Sequence, residues 1–275
     1  MGRIATTILS VVCFYYSFSQ TDSTFKLKFE KNFAEKIVDF NVDNLGNTYI
    51  VSKNNQLKKR NSNGDSIAVF NDVKRSGKLY SIDVTNPLKI LLYYKDFGKI
   101  LILDRFLNIR NEINLRTINI FQASLVCQSY DNNIWIFDEL DNRIKKIDEQ
   151  GKIMFTSIDF RILFEEPPTP NYLTDKDGFI YLYDIKKGLY VFDYYGGLKN
   201  NIQLLGYQHF EVLNKETYVG FMLAKISIYK SNIFLANQYN SIIDIENIKK
   251  IHFELGYLYI LNKQNELSIY KIEKD

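Results

Sequence analysis

Cysteine is nearly absent from this chain: its 275 residues hold two, Cys13 and Cys127. Cys13 lies in an apolar stretch near the N-terminus that reads as a removable leader. The rest of the chain then has one thiol, so no intramolecular disulfide braces it and packing must do so. Cys127 sits in the apolar run Ser124-Leu125-Val126-Cys127, which suits a buried inert thiol better than a nucleophile. Proline is scarce: four in all, three of them within residues 165–172. Histidine is scarcer still. His209 and His252 are too few for a metal centre built on several imidazoles, and no Gly-x-Ser-x-Gly motif accompanies them. Strong charge of one sign is missing as well. A net charge of +3 is too weak to imply nucleic-acid binding, which usually shows as a strongly basic face, and no nucleic-acid partner is expected. The short basic run Lys58-Lys59-Arg60 reads as a solvated edge.

What the chain does have is tyrosine and phenylalanine, 20 of each against one tryptophan, on a background rich in isoleucine. Those residues favour strands. Hydrophobic residues make up 46%, enough for a sizeable core. The first 19 residues carry signal-peptide anatomy. Arg3 is followed by a thirteen-residue apolar segment from Ile4 to Tyr16, too short to span a bilayer comfortably. Ser17-Phe18-Ser19 then offers the small-x-small pattern of a cleavage site, with Gln20 as the new N-terminus. Val12 stands before Cys13 where a lipid-attachment signal wants a small residue, so secretion is favoured over anchoring. The Ser-Phe-Ser-Gln ending resembles the signal-peptide endings of exported Bacteroidota proteins. The expectation is a protein outside the inner membrane, periplasmic or extracellular, with no transmembrane segment after cleavage.

The dominant pattern is a repeat. Six short apolar segments centre on Tyr49, Leu91, Trp135, Tyr181, Phe234 and Tyr259. Each is followed, eight or nine residues on, by a second apolar segment beginning at Leu57, Ile100, Ile144, Leu189, Ile242 and Leu267. Turn-forming residues separate the two, such as Asn54-Asn55, Asp141-Asn142 and Lys187-Gly188. This is one hairpin written six times. The spacings between centres are 42, 44, 46, 53 and 25 residues. The first three suit a four-stranded propeller blade. The last two predict an insertion at 208–220 and a fifth blade lacking a strand. The fold class expected is all-β: a β-propeller of about six blades, with five or seven as alternatives, over a single domain from 20 to 275. The strict alternation in Phe25-Lys26-Leu27-Lys28-Phe29-Glu30 marks a strand with one wet face, placed to supply the outer strand of the last blade.

Two blades add a finer resemblance. Blade three reads Asp131-Asn132-Asn133-Ile134-Trp135-Ile136-Phe137-Asp138, then Asp141-Asn142-Arg143-Ile144, Asp148 and Gly151-Lys152. That resembles the NHL repeat. Blade four, with Asp175-Lys176-Asp177-Gly178 and Gly188-Leu189-Tyr190-Val191-Phe192-Asp193, is similar and also looks like sensor-type propeller repeats. The resemblance implies a fold, not an activity.

In such a ring the innermost strands line a central channel. Polar residues at alternate positions mark the faces that would point there: Asp39 and Asn41, Ser81 and Asp83, His252 and Glu254, with Gln128 and Ser227 as further members. These compose a mostly acidic channel that either bonds to backbone and water or holds a ligand. The resemblance to lactonase-type propellers implies a channel cation. Calcium would suit the carboxylates but wants six to eight oxygens, more than they supply. The proline-rich segment Glu165-Glu166-Pro167-Pro168 reads as an exposed, stiff loop suited to a docking partner. The turn pair Tyr194-Tyr195 reads as an exposed contact for protein or carbohydrate. With no catalytic set in the sequence, the expected role is a binding or scaffold module for a protein or cell-envelope partner. The second reading is a secreted hydrolase or lactonase-like enzyme with a cation in the channel.

Overall fold

The computed structural model describes residues 26–71, 77–222, 225–240 and 245–273. The leader, its cleavage site and Cys13 lie outside them, as does Ile242. The chain opens with β1 (Lys26–Asn32) and then builds blade one from β2 (Ile37–Val42), β3 (Thr48–Ser52), β4 (Leu57–Arg60) and β5 (Ser66–Phe70). Blade two is β6 (Ser81–Asn86), β7 (Lys89–Tyr94), β8 (Lys99–Asp104) and β9 (Ile109–Asn114). Blade three is β10 (Ala123–Gln128), β11 (Ile134–Asp138), β12 (Arg143–Ile147) and β13 (Ile153–Thr156). Blade four is β14 (Tyr172–Lys176), β15 (Phe179–Asp184), β16 (Gly188–Phe192) and β17 (Leu198–Ile202). Blade five is β18 (Gln208–Asn214), β19 (Thr217–Met222), β20 (Lys225–Lys230) and β21 (Leu235–Asn240). Blade six is β22 (Ile248–Glu254), β23 (Tyr257–Asn262) and β24 (Leu267–Glu273), completed on its outside by β1. The molecule is a six-bladed β-propeller of six antiparallel four-stranded sheets.

The core is not one cluster but six wedges, one between each pair of neighbouring blades. Tyr49, Val51 and Leu57 of blade one pack with Val84, Ile90, Leu92 and Leu101 of blade two. Ile37, Phe40 and Ile50 of blade one pack with Leu261 and Leu267 of blade six. A second strand such as β7 or β11 is covered by both neighbours, so all its residues are buried and its sequence is an unbroken apolar run. Outer strands such as β17 are covered on one side at most and read as polar.

The fifth blade is where sequence and structure part. It is complete, and 208–220 is no insertion but its first two strands. The counterpart of Tyr181 is Val219, 38 residues on, and Tyr259 follows after another 40. Residues 232–237 instead form the turn and start of the outer strand, with Ile233, Phe234 and Leu235 exposed. Gly220 concealed β19. A glycine inside a strand reads as a break, but here it makes room for the Tyr207 ring, whose Cδ1 lies 2.9 Å from where a Cβ would stand.

The basic run also departs from expectation. Lys58 and Arg60 both pair with Glu35, at 2.5 and 2.8 Å, and Lys59 is buried over the Tyr49 ring. The run is the third strand of blade one, where a long aliphatic stem can line an inter-blade wedge while its head finds a partner.

Closure rests on β1, which pairs with β24 from Lys26↔Glu273 to Asn32↔Ser268. A chain beginning at Phe33 leaves β24 as a bare edge and uncovers the Leu27 contact in the last wedge. Its unfolding midpoint is expected to fall by roughly 10 °C relative to a chain beginning at Gln20, with concentration-dependent self-association. Calorimetry and size-exclusion chromatography check this; equal midpoints would show that β1 is dispensable.

Candidate functional site

Alternation around each blade fixes two rims. Turns from inner to second strand and from third to outer strand emerge on one side. Turns from second to third strand and connections between blades emerge on the other. A cavity of about 1340 Å³ occupies the axis, and six turns of the first rim reach it: those at Asn44, Pro87, Tyr130, Gly178 and Gly256 follow inner strands, and that at Tyr194 follows a third strand. It therefore has its mouth on the first rim.

Every inner strand pairs with one neighbour and turns its free edge towards the axis. Backbone groups left there without partners would be costly. Inward side chains meet them at all six blade junctions. Asn41 Nδ2 donates to Ile82 O at 2.9 Å. Asp83 accepts from Gln128 N at 2.7 Å. Asp175 accepts from Ser129 Oγ at 2.9 Å and Tyr130 N at 3.3 Å. Val212 N donates to the Tyr172 hydroxyl at 3.1 Å. Phe253 N donates to Glu211 at 3.0 Å. Lys250 Nζ donates to Phe40 O at 2.6 Å, joining blade six to blade one.

Of the channel residues expected from sequence, Asn41, Asp83, Gln128, His252 and Glu254 line this cavity. Asp39 is outside its lining and pairs with Lys250 at 2.8 Å. Ser81 is also outside it. Ser227 does not face the axis: it lies on β20, fully buried, 3.1 Å from the Tyr207 hydroxyl. His209 joins the lining, held at φ +50° with burial pushing its imidazole below its ordinary range. Among the described residues, no three His, Cys, Asp or Glu side chains converge to hold a metal ion. Cys127 is free and buried, and burial raises its thiol well above the usual range.

Two carboxylates that sequence reasoning missed organise the site. Glu211 sits in the segment misread as an insertion. Its Oε1 lies 3.0 Å from His252 Nδ1, while His252 Nε2 lies 3.2 Å from Val42 O. Both ring nitrogens face acceptors, which only the doubly protonated imidazolium satisfies. Burial opposes that charge, but the Glu211 carboxylate outweighs it and lifts the imidazole above its ordinary range. Asp175 figures in the sequence reading only as part of the blade-four repeat. It is buried and takes four donors: Ser129 Oγ, Tyr130 N, Trp135 Nε1 at 3.0 Å and the Tyr194 hydroxyl at 2.6 Å.

The two expected partner elements are on opposite rims, so they do not form one surface. Glu165 and Glu166 are exposed, but Pro168 is buried. Lys187 Nζ holds Pro167 O at 2.9 Å, and Asp184 accepts from Thr169 N at 2.8 Å. The proline segment is fastened to the blade-four turn rather than standing free. The tyrosine pair divides as well. Tyr195 is 90% exposed, whereas Tyr194 is half-buried at the cavity mouth, stacked on Tyr130 at 4.7 Å.

No family model matches the chain, and no curated protein does. Solved structures do. A streptogramin B lyase superposes with a TM-score of 0.61 at 14% identity, over 86% of this chain and 79% of that one. A catalytically inactive virginiamycin B lyase from Staphylococcus aureus with quinupristin gives 0.62 at 13%, over 90% and 100%. BBS1N in complex with ARL6DN gives 0.53 at 12%, over 91% and 98%. These likenesses establish the propeller fold. They pair it with catalysis in the lyases and with a protein complex in the last, so the fold alone does not choose.

Two outcomes follow from the site. Asp175→Ala strands four donors around a buried position and is expected to cost roughly 3–5 kcal/mol in urea unfolding, followed by the fluorescence of the single tryptophan; a loss below about 1 kcal/mol would contradict the hub role. The second concerns His252. Its folded-state pKa lies above the unfolded value of about 6.5, so its stabilisation is complete below that pH and is lost as pH rises through the folded value. Glu211→Gln should therefore fall further below the parent protein in stability at about pH 5.5 than at about pH 9; a pH-independent gap would contradict the pairing.

Proposed function

We propose that this protein is a non-enzymatic binding module, exported through its N-terminal leader, that engages a protein or other cell-envelope partner with the rim around the channel mouth. The observation carrying this reading is the crown of exposed apolar side chains on that rim. Leu45, Leu88, Tyr130, Tyr195, Phe234 and Leu255 come from blades one to six in turn, one from each. Exposed apolar surface of this extent at one end of a soluble molecule marks an interaction face. The opposite rim also exposes apolar side chains, among them Tyr80, Phe97, Phe121, Leu140, Ile162 and Leu205, but none of these lines the cavity, as Tyr130 and Leu255 do. The inward polar groups support the same reading. Asn41, Asp83, Glu211 and His252 are occupied by bonds between blades, which leaves them little freedom as acids, bases or ligands.

The second reading, a hydrolase or lactonase-like enzyme with a channel cation, draws on the carboxylates Asp83, Asp177, Glu211 and Glu254 lining one cavity. A cation held by the folded state must raise the unfolding midpoint by mass action. With EDTA, then Ca²⁺, Mg²⁺ or Zn²⁺, the expected result is an unchanged midpoint. A shift abolished by Asp83→Ala would favour the enzyme.

The binding reading is tested by placing a photo-crosslinking residue at position 195, 234 or 162 in the native host. Adducts from 195 and 234 but not from 162 are expected. Silence at both rim positions, or equal yield at all three, would refute the proposed face.

A further inference from the structure

The aromatic group at the mouth has more order than an apolar rim needs. Tyr194 stacks with two rings: Tyr130 at 4.7 Å and 12°, and Trp135 at 6.2 Å and 22°. One carboxylate fixes all three. Asp175 takes the indole N–H of Trp135, the hydroxyl of Tyr194 and the backbone N–H of Tyr130. Lys146, ion-paired with Asp131, closes the side of the stack, 4.8 to 5.7 Å from the three ring centres. The outermost ring of this rigid assembly, Tyr130, is 70% exposed and lines the cavity. A flat apolar surface that is preorganised in this way loses little entropy when something stacks on it.

We infer that the Tyr130 face is a carbohydrate subsite, on which the C–H face of a neutral pyranose stacks at the channel mouth. This deepens the binding reading above and rests on it. Three features select the ligand class. A sugar offers a flat C–H face bounded by hydroxyls, and the cavity that this ring lines carries hydroxyl-seeking groups elsewhere on its wall. These include Thr85, Asp177 and Lys176, whose ammonium has no bonding partner among the described residues. The lining carries six carboxylates against two lysines and His252, so a uronate or a phosphorylated ligand is repelled. A quaternary ammonium is recognised by a cage of several ring faces, whereas one ring is presented here and a lysine cation already lies against its stack.

The experiment uses the mature protein on an array of immobilised hexasaccharides of glucose, mannose, galactose and N-acetylglucosamine, with galacturonate hexamers beside them. Hits are titrated in solution by Trp135 fluorescence and saturation-transfer NMR. At least one neutral glycan is expected to bind in preference to the uronates. Tyr130→Ala should weaken it about tenfold or more, and Tyr130→Phe, which keeps the ring, should stay within about twofold. Equal unfolding midpoints show that the variants are folded. A blank array overturns the inference, as does binding that survives Tyr130→Ala, a preference for uronates, or binding of tetramethylammonium without any sugar. A blank array with a position-195 crosslink removes the sugar alone and leaves the rim as a binding face. A blank array without that crosslink removes both.

Discussion

A propeller solves the edge problem at its outside and recreates it at its axis. Each inner strand pairs on one side only, and six such strands bring six free edges together round the axial cavity. Backbone groups on those edges have no strand to pair with and need other hydrogen-bond partners. The rest of this structure depends on how those partners are supplied. Asn41, Asp83, Tyr172, Asp175, Glu211 and Lys250 each reach across a junction to a backbone atom of the neighbouring blade or the turn following it. The channel is polar because the edges require it. Its acidity follows from the same cause, since four of the junctions present amide hydrogens and a carboxylate or hydroxyl is what accepts them.

The lacing also explains how a chain with one thiol among its described residues holds its ring together. The six apolar wedges press the blades side by side, and the polar laces set their register at the centre. The last junction combines both devices: β1 zips blade six from outside while Lys250 and His252 tie it to blade one from inside. Asp175 does this locally and something more. The bonds that lace blades three and four also align the aromatic stack at the mouth, so a structural carboxylate positions the surface offered to a ligand.

Much of the fold was legible in the sequence because hairpins are local. Second strands announced themselves as unbroken apolar runs, and the lone alternating strand before blade one disclosed the closure. Blade five was misread for a physical reason. Gly220 broke its second strand on paper while making room for Tyr207 in space, and the exposed Ile233-Phe234-Leu235 imitated a buried run. The site was legible in part. Asn41, Asp83, His252 and Glu254 could be placed on the channel by strand alternation alone. Glu211 was hidden by the blade-five misregister, and Asp175 stood out only as a residue of the blade-four repeat, because its four donors come from distant segments. Tyr194 looked exposed because its covering partners, Tyr130 and Trp135, come from the neighbouring blade. Contacts between blades are set by the closure of the ring and leave no mark at any fixed spacing.

The central claim is that the channel's polar side chains serve the inner edges, and amide hydrogen exchange reads it directly. Gln128, Val212 and Phe253 N–H groups are met across the blade junctions by Asp83, Tyr172 and Glu211. The account predicts that these three amides exchange as slowly as those of the fully paired second strands, and that Asp83→Ala releases Gln128 selectively. Exchange at the rate of open edge amides in the parent protein would contradict it and leave the channel carboxylates free for another role.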